Sequence, residues 1–202
     1  MKVITTVSAL ALLAGATLSN AVTIVSNTGN AVSGSNLELS AANSPIRASF
    51  NTGNAPAGGT GWDLNLISFP GDPNGGTVTG LEYRLLAADG SELGLSQTTT
   101  ASNGNNIVAF FGQNIELAPN TSYTFEIDAT NATGSGALRQ TFNGSETGNP
   151  GATIDGVTAG PSNAGQLPVL FNVDGDVVAV PEPGSALLLG LAGLTVGLRR
   201  RR

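Results

Sequence analysis

Carboxylates are the only side chains of this sequence that are both numerous and suited to acid–base chemistry. The chain has no His and no Cys, and its one Lys is Lys2. A Ser nucleophile needs a base beside it, and thiol catalysis needs a thiol. Ser-His, Ser-Lys and Cys machinery is therefore excluded from the rest of the chain. Zinc and copper sites draw mainly on His or Cys, so neither metal is expected. No phosphate-binding or dinucleotide fingerprint appears, and Gly58-Gly59-Thr60-Gly61 reads as a loop. A carboxylate pair can act as glycosidase acid and base. The candidates are Glu126 and Asp128, with Glu82 and Glu116. Glu126 and Asp128, however, share the polar phase of an alternating run, the ordinary pattern of a solvated strand face. The expectation is that the protein is not an enzyme, with a carboxylate-dependent glycosidase as the remote alternative.

Oxygen ligands for calcium are the next possibility. Asn172, Asp174 and Asp176 have 1, 3, 5 spacing, and Asp72-Pro73-Asn74 is a second oxygen-rich turn. Calcium takes six to eight oxygens. The first run has Val177 where a calcium loop needs its Gly, so Asn172, Asp174 and Asp176 are weak candidates. Both stretches read as Asp/Asn turns. No metal and no cofactor is expected. Trp62, the only Trp, would be a stacking platform in a sugar-binding module. Its phase with Leu64 and Leu66 predicts core burial instead.

The elements that carry these residues are strands. Tyr123, Phe125, Ile127 and Ala129 alternate with polar residues over 122–129. Leu81, Tyr83, Leu85 and Ala87 do the same, and Asp89-Gly90 then offers a hairpin turn into Leu93-Gly94-Leu95. Trp62, Leu64 and Leu66 alternate, after which Ile67 and Phe69 change phase, as a β-bulge would make them. Residues 107–111 are continuously apolar and predict a buried strand. Leu167, Val169, Phe171 and Val173 alternate into an Asp174-Gly175 turn, followed by a run from Val177 to Val180. Residues 46–50 and 137–142 are shorter candidates, while 51–61 and 143–165 read as long Gly-rich loops. About eight or nine strands with no amphipathic helix predict an all-β fold. The expected form is a two-sheet antiparallel β-sandwich of jelly-roll or immunoglobulin-like type.

Composition agrees. Of 202 residues, 28 are Gly, while only 11% are charged and 5% aromatic. Asn, Thr and Ser take their place, and these favour turns and half-exposed strands. Between the two ends stand thirteen acidic residues and three basic ones, Arg47, Arg84 and Arg139. Such a surface repels phosphate backbones, so no nucleic-acid partner is expected.

Both ends read as targeting segments. Lys2 is a short basic region, residues 3–18 are an apolar run, and Ser19-Asn20-Ala21 places small residues at a cleavage site. Residues 1–21 are thus expected to be a secretory signal peptide, a helix removed after Ala21. At the other end, Val180-Pro181-Glu182-Pro183-Gly184-Ser185 is held extended by its prolines. Residues 186–198 are uncharged, and Arg199, Arg200, Arg201 and Arg202 close the chain. Thirteen helical residues span about 20 Å against a hydrocarbon core of about 30 Å. Bilayer thinning and snorkelling arginines can close that gap. The basic cap holds its end in the cytoplasm. The expected division is a signal peptide (1–21), an ectodomain (22–179) and a tail (180–202) with motif 180–185, transmembrane helix 186–198 and basic cap 199–202.

This tripartite tail closely resembles the PEP-CTERM sorting signal. The resemblance implies that Pro181, Glu182 and Pro183 are read by an exosortase, a membrane-embedded enzyme, and that Arg199 to Arg202 act as the stop signal. It implies an exported protein, first anchored in the inner membrane and then moved to the cell surface or released. It also implies bacteria that make exopolysaccharide or extracellular matrix. The body loosely resembles β-sandwich ectodomains found upstream of such tails, through residues 46–50, 77–83 and 117–123. A structural or adhesive role is expected for it, with a carbohydrate-binding module for exopolysaccharide as the alternative.

Overall fold

The computed structural model describes residues 21–72, 76–98, 106–110, 114–142, 145–160 and 164–180. The expected signal-peptide helix and transmembrane helix lie outside these residues. Among the described residues no helix is long and apolar enough to cross a membrane.

The described chain is all-β. Its strands are β1 (Val22–Ser26), β2 (Val32–Glu38), β3 (Ile46–Asn51), β4 (Gly59–Pro70), β5 (Val78–Thr79), β6 (Leu81–Ala87), β7 (Glu92–Thr98) and β8 (Asn106–Phe110). They continue as β9 (Glu116–Leu117), β10 (Ser122–Asp128), β11 (Thr133–Gly134), β12 (Ala137–Thr141), β13 (Thr147–Gly148), β14 (Thr153–Ala159), β15 (Ala164–Gln166) and β16 (Asn172–Ala179). One six-stranded sheet has the order β13-β1-β16-β4-β8, with β9 also on β4. The other has the order β15-β14-β3-β10-β6-β7. Two-stranded sheets β12-β2 and β11-β5 complete the set. The strands pair antiparallel, and the main pairs nest: β1 with β16, β3 with β10, β4 with β8 and β6 with β7.

The two large sheets face one another across a single core. On β10 and β6 the predicted alternation holds, with Tyr123, Phe125, Ile127, Leu81, Tyr83 and Leu85 all buried. Phe69 of β4 lies 5.0 Å from Phe125 of the opposite sheet, and Phe171 lies 6.3 Å from Phe50. Further ring contacts join Phe69 to Phe171, Phe50 to Tyr123 and Tyr83 to Phe125. Tilted or edge contacts suit the ring quadrupole and contribute about 0.5–1.5 kcal/mol each beyond the area they bury. Trp62 is 1% exposed, in the core as its phase predicted.

The bulge predicted in β4 is present. Asp174 pairs with Leu66 and Gly175 with Leu64, which leaves Asn65 as the extra residue. Trp62 and Leu64 therefore point inward before it, and Ile67 and Phe69 after it, while Leu66 is only half-buried. A second bulge at Ile24 of β1 lies level with it, so that Ile24 and Val25 are both buried.

Three expectations need correction. Asp174-Gly175 is not a turn but the middle of β16. A Cβ on Gly175 would stand 2.8 Å from the Asp63 carbonyl oxygen and 3.0 Å from Ile24 Cδ1. The glycine is there because two bulged neighbours close in on it. Residues 143–165 are not one loop, since β13 and β14 lie within them and β15 begins there, and β14 pairs with β3 along its length. Its burial runs out of phase across a bulge between Ile154 and Val157, which hides the period of two. Residues 51–61 are part strand, and their loop is tied down: Asn149 Nδ2 donates to the Thr52 and Asn54 carbonyls at 2.7 Å each. The strand over 107–111 exists as β8, but its side chains lie outside those described.

The described strands end by Ala179. The 22–180 fragment should show β-structure by circular dichroism and a cooperative melt, and a disordered spectrum would refute a self-sufficient body. Removing β16, as in a 22–171 fragment, should abolish that melt, because β16 lies between β1 and β4. Tyr83 gives a second test. Its ring is buried, its hydroxyl has no hydrogen-bond partner, and desolvation drives its pKa well up. Tyr83→Phe removes only that unsatisfied hydroxyl, so stability in urea should be unchanged or higher by up to about 1 kcal/mol. A loss of about 2 kcal/mol or more would mean the hydroxyl has a partner.

Candidate functional site

Pro181, Glu182, Pro183 and Arg199 to Arg202 lie outside the described residues, as does the expected cleavage motif up to Asn20. What the structure shows is how the body reaches them. β16 ends at Ala179, and the Val180 amide donates to the Gly58 carbonyl at 3.1 Å. Gly58 belongs to a tight turn in which the Gly59 amide donates to the Pro56 carbonyl. Gly59 cannot carry a side chain there, because a Cβ would collide with Val177 Cγ1 and stand 2.8 Å from the Val178 carbonyl oxygen. The fold thus grips the chain up to the residue before Pro181. A cleft of about 660 Å³ lies at this end, lined by Val22, Pro56, Trp62, Asn149, Pro150 and Val177.

Asn172, Asp174 and Asp176 fall on the outer face of β16. Asn172 and Asp174 meet each other, and the described residues contain no group of three acidic, His or Cys side chains that could hold a metal. Asp174 is already served by Thr23 Oγ1 at 2.9 Å and Asn172 Nδ2 at 2.6 Å. Asp176 differs, since its Oδ1 is buried and has no hydrogen-bond partner. Across the sheet Asp176 stands opposite Asp63, and Asp63 opposite Glu116. Beside this row an open groove of about 560 Å³ is lined by Thr23, Ser26, Thr28, Ser68, Thr147 and Asn172, all uncharged.

The glycosidase candidates Glu126, Asp128 and Glu82 belong to the other sheet, and Glu126 is not on a solvated face as expected. Glu126 is 6% exposed. It stands directly opposite Arg47 on one side and Arg84 on the other. Arg47 Nη2 reaches Oε2 at 2.8 Å and Arg84 Nη1 reaches Oε1 at 2.9 Å. Arg84 also contacts Glu82 and Asp128, and hydrogen bonding to Glu126 is the main cause of its raised pKa. Both Glu126 oxygens are occupied by guanidinium groups. Glu116, on β9, sits in the first sheet. Arg47 and Arg84 were not expected as partners of Glu126. The available signal was that both occupy the polar phase of strand-like runs, in a body with only three arginines.

Asp128 accepts hydrogen bonds from the Thr130 amide and the Ser44 hydroxyl, each at 2.9 Å. The Thr130 bonds first, then Ser44 and Arg84, hold its carboxyl below the ordinary value of 3.8. A depressed folded-state pKa contributes stability above the unfolded pKa, and that contribution is lost as pH falls through the folded value. Asp128→Asn should therefore cost on the order of 1 kcal/mol at pH 7. The difference from wild type should vanish in urea melts as pH falls below 3.8. A difference independent of pH would mean that the charge contributes nothing.

No curated protein matches the chain. Residues 179–202 match a family model described as the PEP-CTERM protein-sorting motif. The match begins at the last residue of β16 and takes in the Pro-Glu-Pro triplet, the uncharged run and the four arginines. The C-terminal segment of the chain thus carries a PEP-CTERM protein-sorting motif.

Proposed function

We propose that this is a bacterial surface or extracellular-matrix protein whose body is structural or adhesive and whose tail is read by an exosortase-type enzyme. The match over residues 179–202 carries the reading, since the PEP-CTERM motif indicates an exported protein sorted by exosortase. The route is an inner-membrane precursor, held by residues 186–198 and the arginine cap, then the cell surface or the medium. The signal peptide leaves after Ala21.

Several observations support a non-enzymatic body. Trp62 is 1% exposed and Tyr83 fully buried, so neither offers the aromatic platform that a sugar-binding module would use. Glu126 is engaged by two arginines rather than facing a second carboxylate across a cleft. The jelly-roll form of the sandwich is supported by strand order. β1-β16-β4-β8 in one sheet and β3-β10-β6-β7 in the other are four nested pairs rolled into two layers.

Replacing Pro181, Glu182 and Pro183 together by Ala tests the sorting role. Export depends on the N-terminal apolar run, which is untouched. Processing depends on a stiff extended segment outside the bilayer, and three alanines let a helix run through it. The variant should be exported and then remain unprocessed in the membrane fraction. The readout is an immunoblot of membrane and extracellular fractions in a host that encodes the enzyme. Wild-type trimming of the variant would reduce the tail to an anchor.

A further inference from the structure

We propose that signal-peptide removal completes the first sheet: the new α-ammonium of Val22 forms an ion pair with Asp176. The pairing rests on the proposed cleavage after Ala21. Hydrolysis adds water across the Ala21–Val22 amide. The Ala21 side leaves as a carboxylate, and Val22 keeps an amine that takes up a proton.

The register brings the two groups together. Val22 pairs with Gly175, and Thr23 with Asp174. Antiparallel partners have Cα atoms about 4.5–5.5 Å apart, so the nitrogen of Val22, on the Ala21 side of that pair, lies toward Asp176. Asp174 has two donors already. The buried Oδ1 of Asp176 has none, and a buried acceptor left without a donor is destabilising, more so when charged. In the precursor, the Val22 nitrogen is an amide with a single hydrogen. The ammonium has three, so one can serve the strand ladder while another reaches the carboxylate.

Charge on the sheet points the same way. Glu116, Asp63 and Asp176 stand side by side across β9, β4 and β16, with Asp174 two residues away. Like charges directly opposite are destabilising. None of the six strands β13, β1, β16, β4, β8 and β9 carries Lys or Arg, and the loop residues lining the adjoining cleft, including Asn54, Pro56, Asn149 and Pro150, are uncharged. On the opposite sheet the equivalent row is Arg47, Glu126, Arg84, with alternating sign. A Val22 ammonium is the cation that the first sheet lacks. Its pairing makes the mature body more stable than the precursor, so that maturation and consolidation of the fold are one event.

The sequence offers a clean probe. Lys2 is the only Lys, so a chain beginning at Val22 has a single primary amine. The 22–202 chain, released from a fusion with Val22 as its first residue and held in detergent, can be acetylated with an N-hydroxysuccinimide ester at that one amine. Acetylation should lower the melting temperature by about 2–4 °C. In Asp176→Asn the melting temperature should start low and not change on acetylation. The stabilisation should be complete below the unfolded amine pKa of about 8 and fade as pH rises through the higher folded value. The pH dependence of the acetylation rate reads that value directly and does not need the variant to melt cooperatively. An unchanged wild-type melting temperature, an equal fall in Asp176→Asn, or an amine titrating at its free value would each overturn the pairing. Mass spectrometry of the exported protein tests the cleavage separately: a mature chain beginning elsewhere than Val22 would overturn that reading and the maturation step with it.

Discussion

Six aromatic rings in mutual contact hold the two sheets together, and the remaining structure depends on that contact. The sequence has ten aromatic residues. Phe50, Phe69, Tyr83, Tyr123, Phe125 and Phe171 form one connected cluster that passes between the layers. In a chain so rich in Gly, Asn, Thr and Ser, few other side chains are large enough to fill the space between sheets packed about 10 Å apart. The bulges follow from this need. If Asn65 took a place in the regular ladder instead of bulging, Phe69 and Trp62, seven residues apart, would fall on opposite faces of β4, and one of them would leave the core. Gly175 then follows from the bulges, because the flanking strands crowd β16 at that level.

The outer faces treat charge in opposite ways. The second sheet buries Glu126 between two guanidinium groups, and three further carboxylates, Glu82, Glu92 and Asp128, share Arg84. Such an arrangement fixes register, since a slip of one residue would part the charges and turn the buried side chains outward. The first sheet shows an uncharged hydroxyl groove and an acidic row with no basic residue on its strands. The two faces of the body thus differ in chemistry as well as in charge.

Much of the fold was legible because long strands with one buried face repeat every two residues. The runs at 81–87 and 122–129 are of this kind. The phase change between Leu64 and Ile67 was legible for the same reason, since an inserted residue is the simplest way for a period of two to break and resume within one strand. The strands that escaped are those whose pattern carries little information. β14 is interrupted by its own bulge, and β2 has a single buried residue, Leu37. β1 is only five residues long and follows an apolar run that obscures its own pattern. Asp174-Gly175 misled because the pair that favours a tight turn also suits a strand squeezed by its neighbours. For the site, the sorting motif of the tail was readable, as order and composition define it. The burial of Glu126 was not, because a carboxylate in a polar phase looks the same in sequence whether water or arginine faces it.

The grip of the fold on Val180 has a mechanical consequence. β16 runs into the tail with one hydrogen-bonded residue between its end and Pro181, and it lies between β1 and β4 rather than at an edge. A pull applied through the tail acts along the strand axis, at right angles to the ladder hydrogen bonds on both sides. Such a pull loads many bonds at once and cannot open them in turn like a zip. Forced unfolding is governed by the unfolding rate, and a central strand pulled in shear raises the barrier that sets it. A body pulled in this way would resist with the strongest part of its fold.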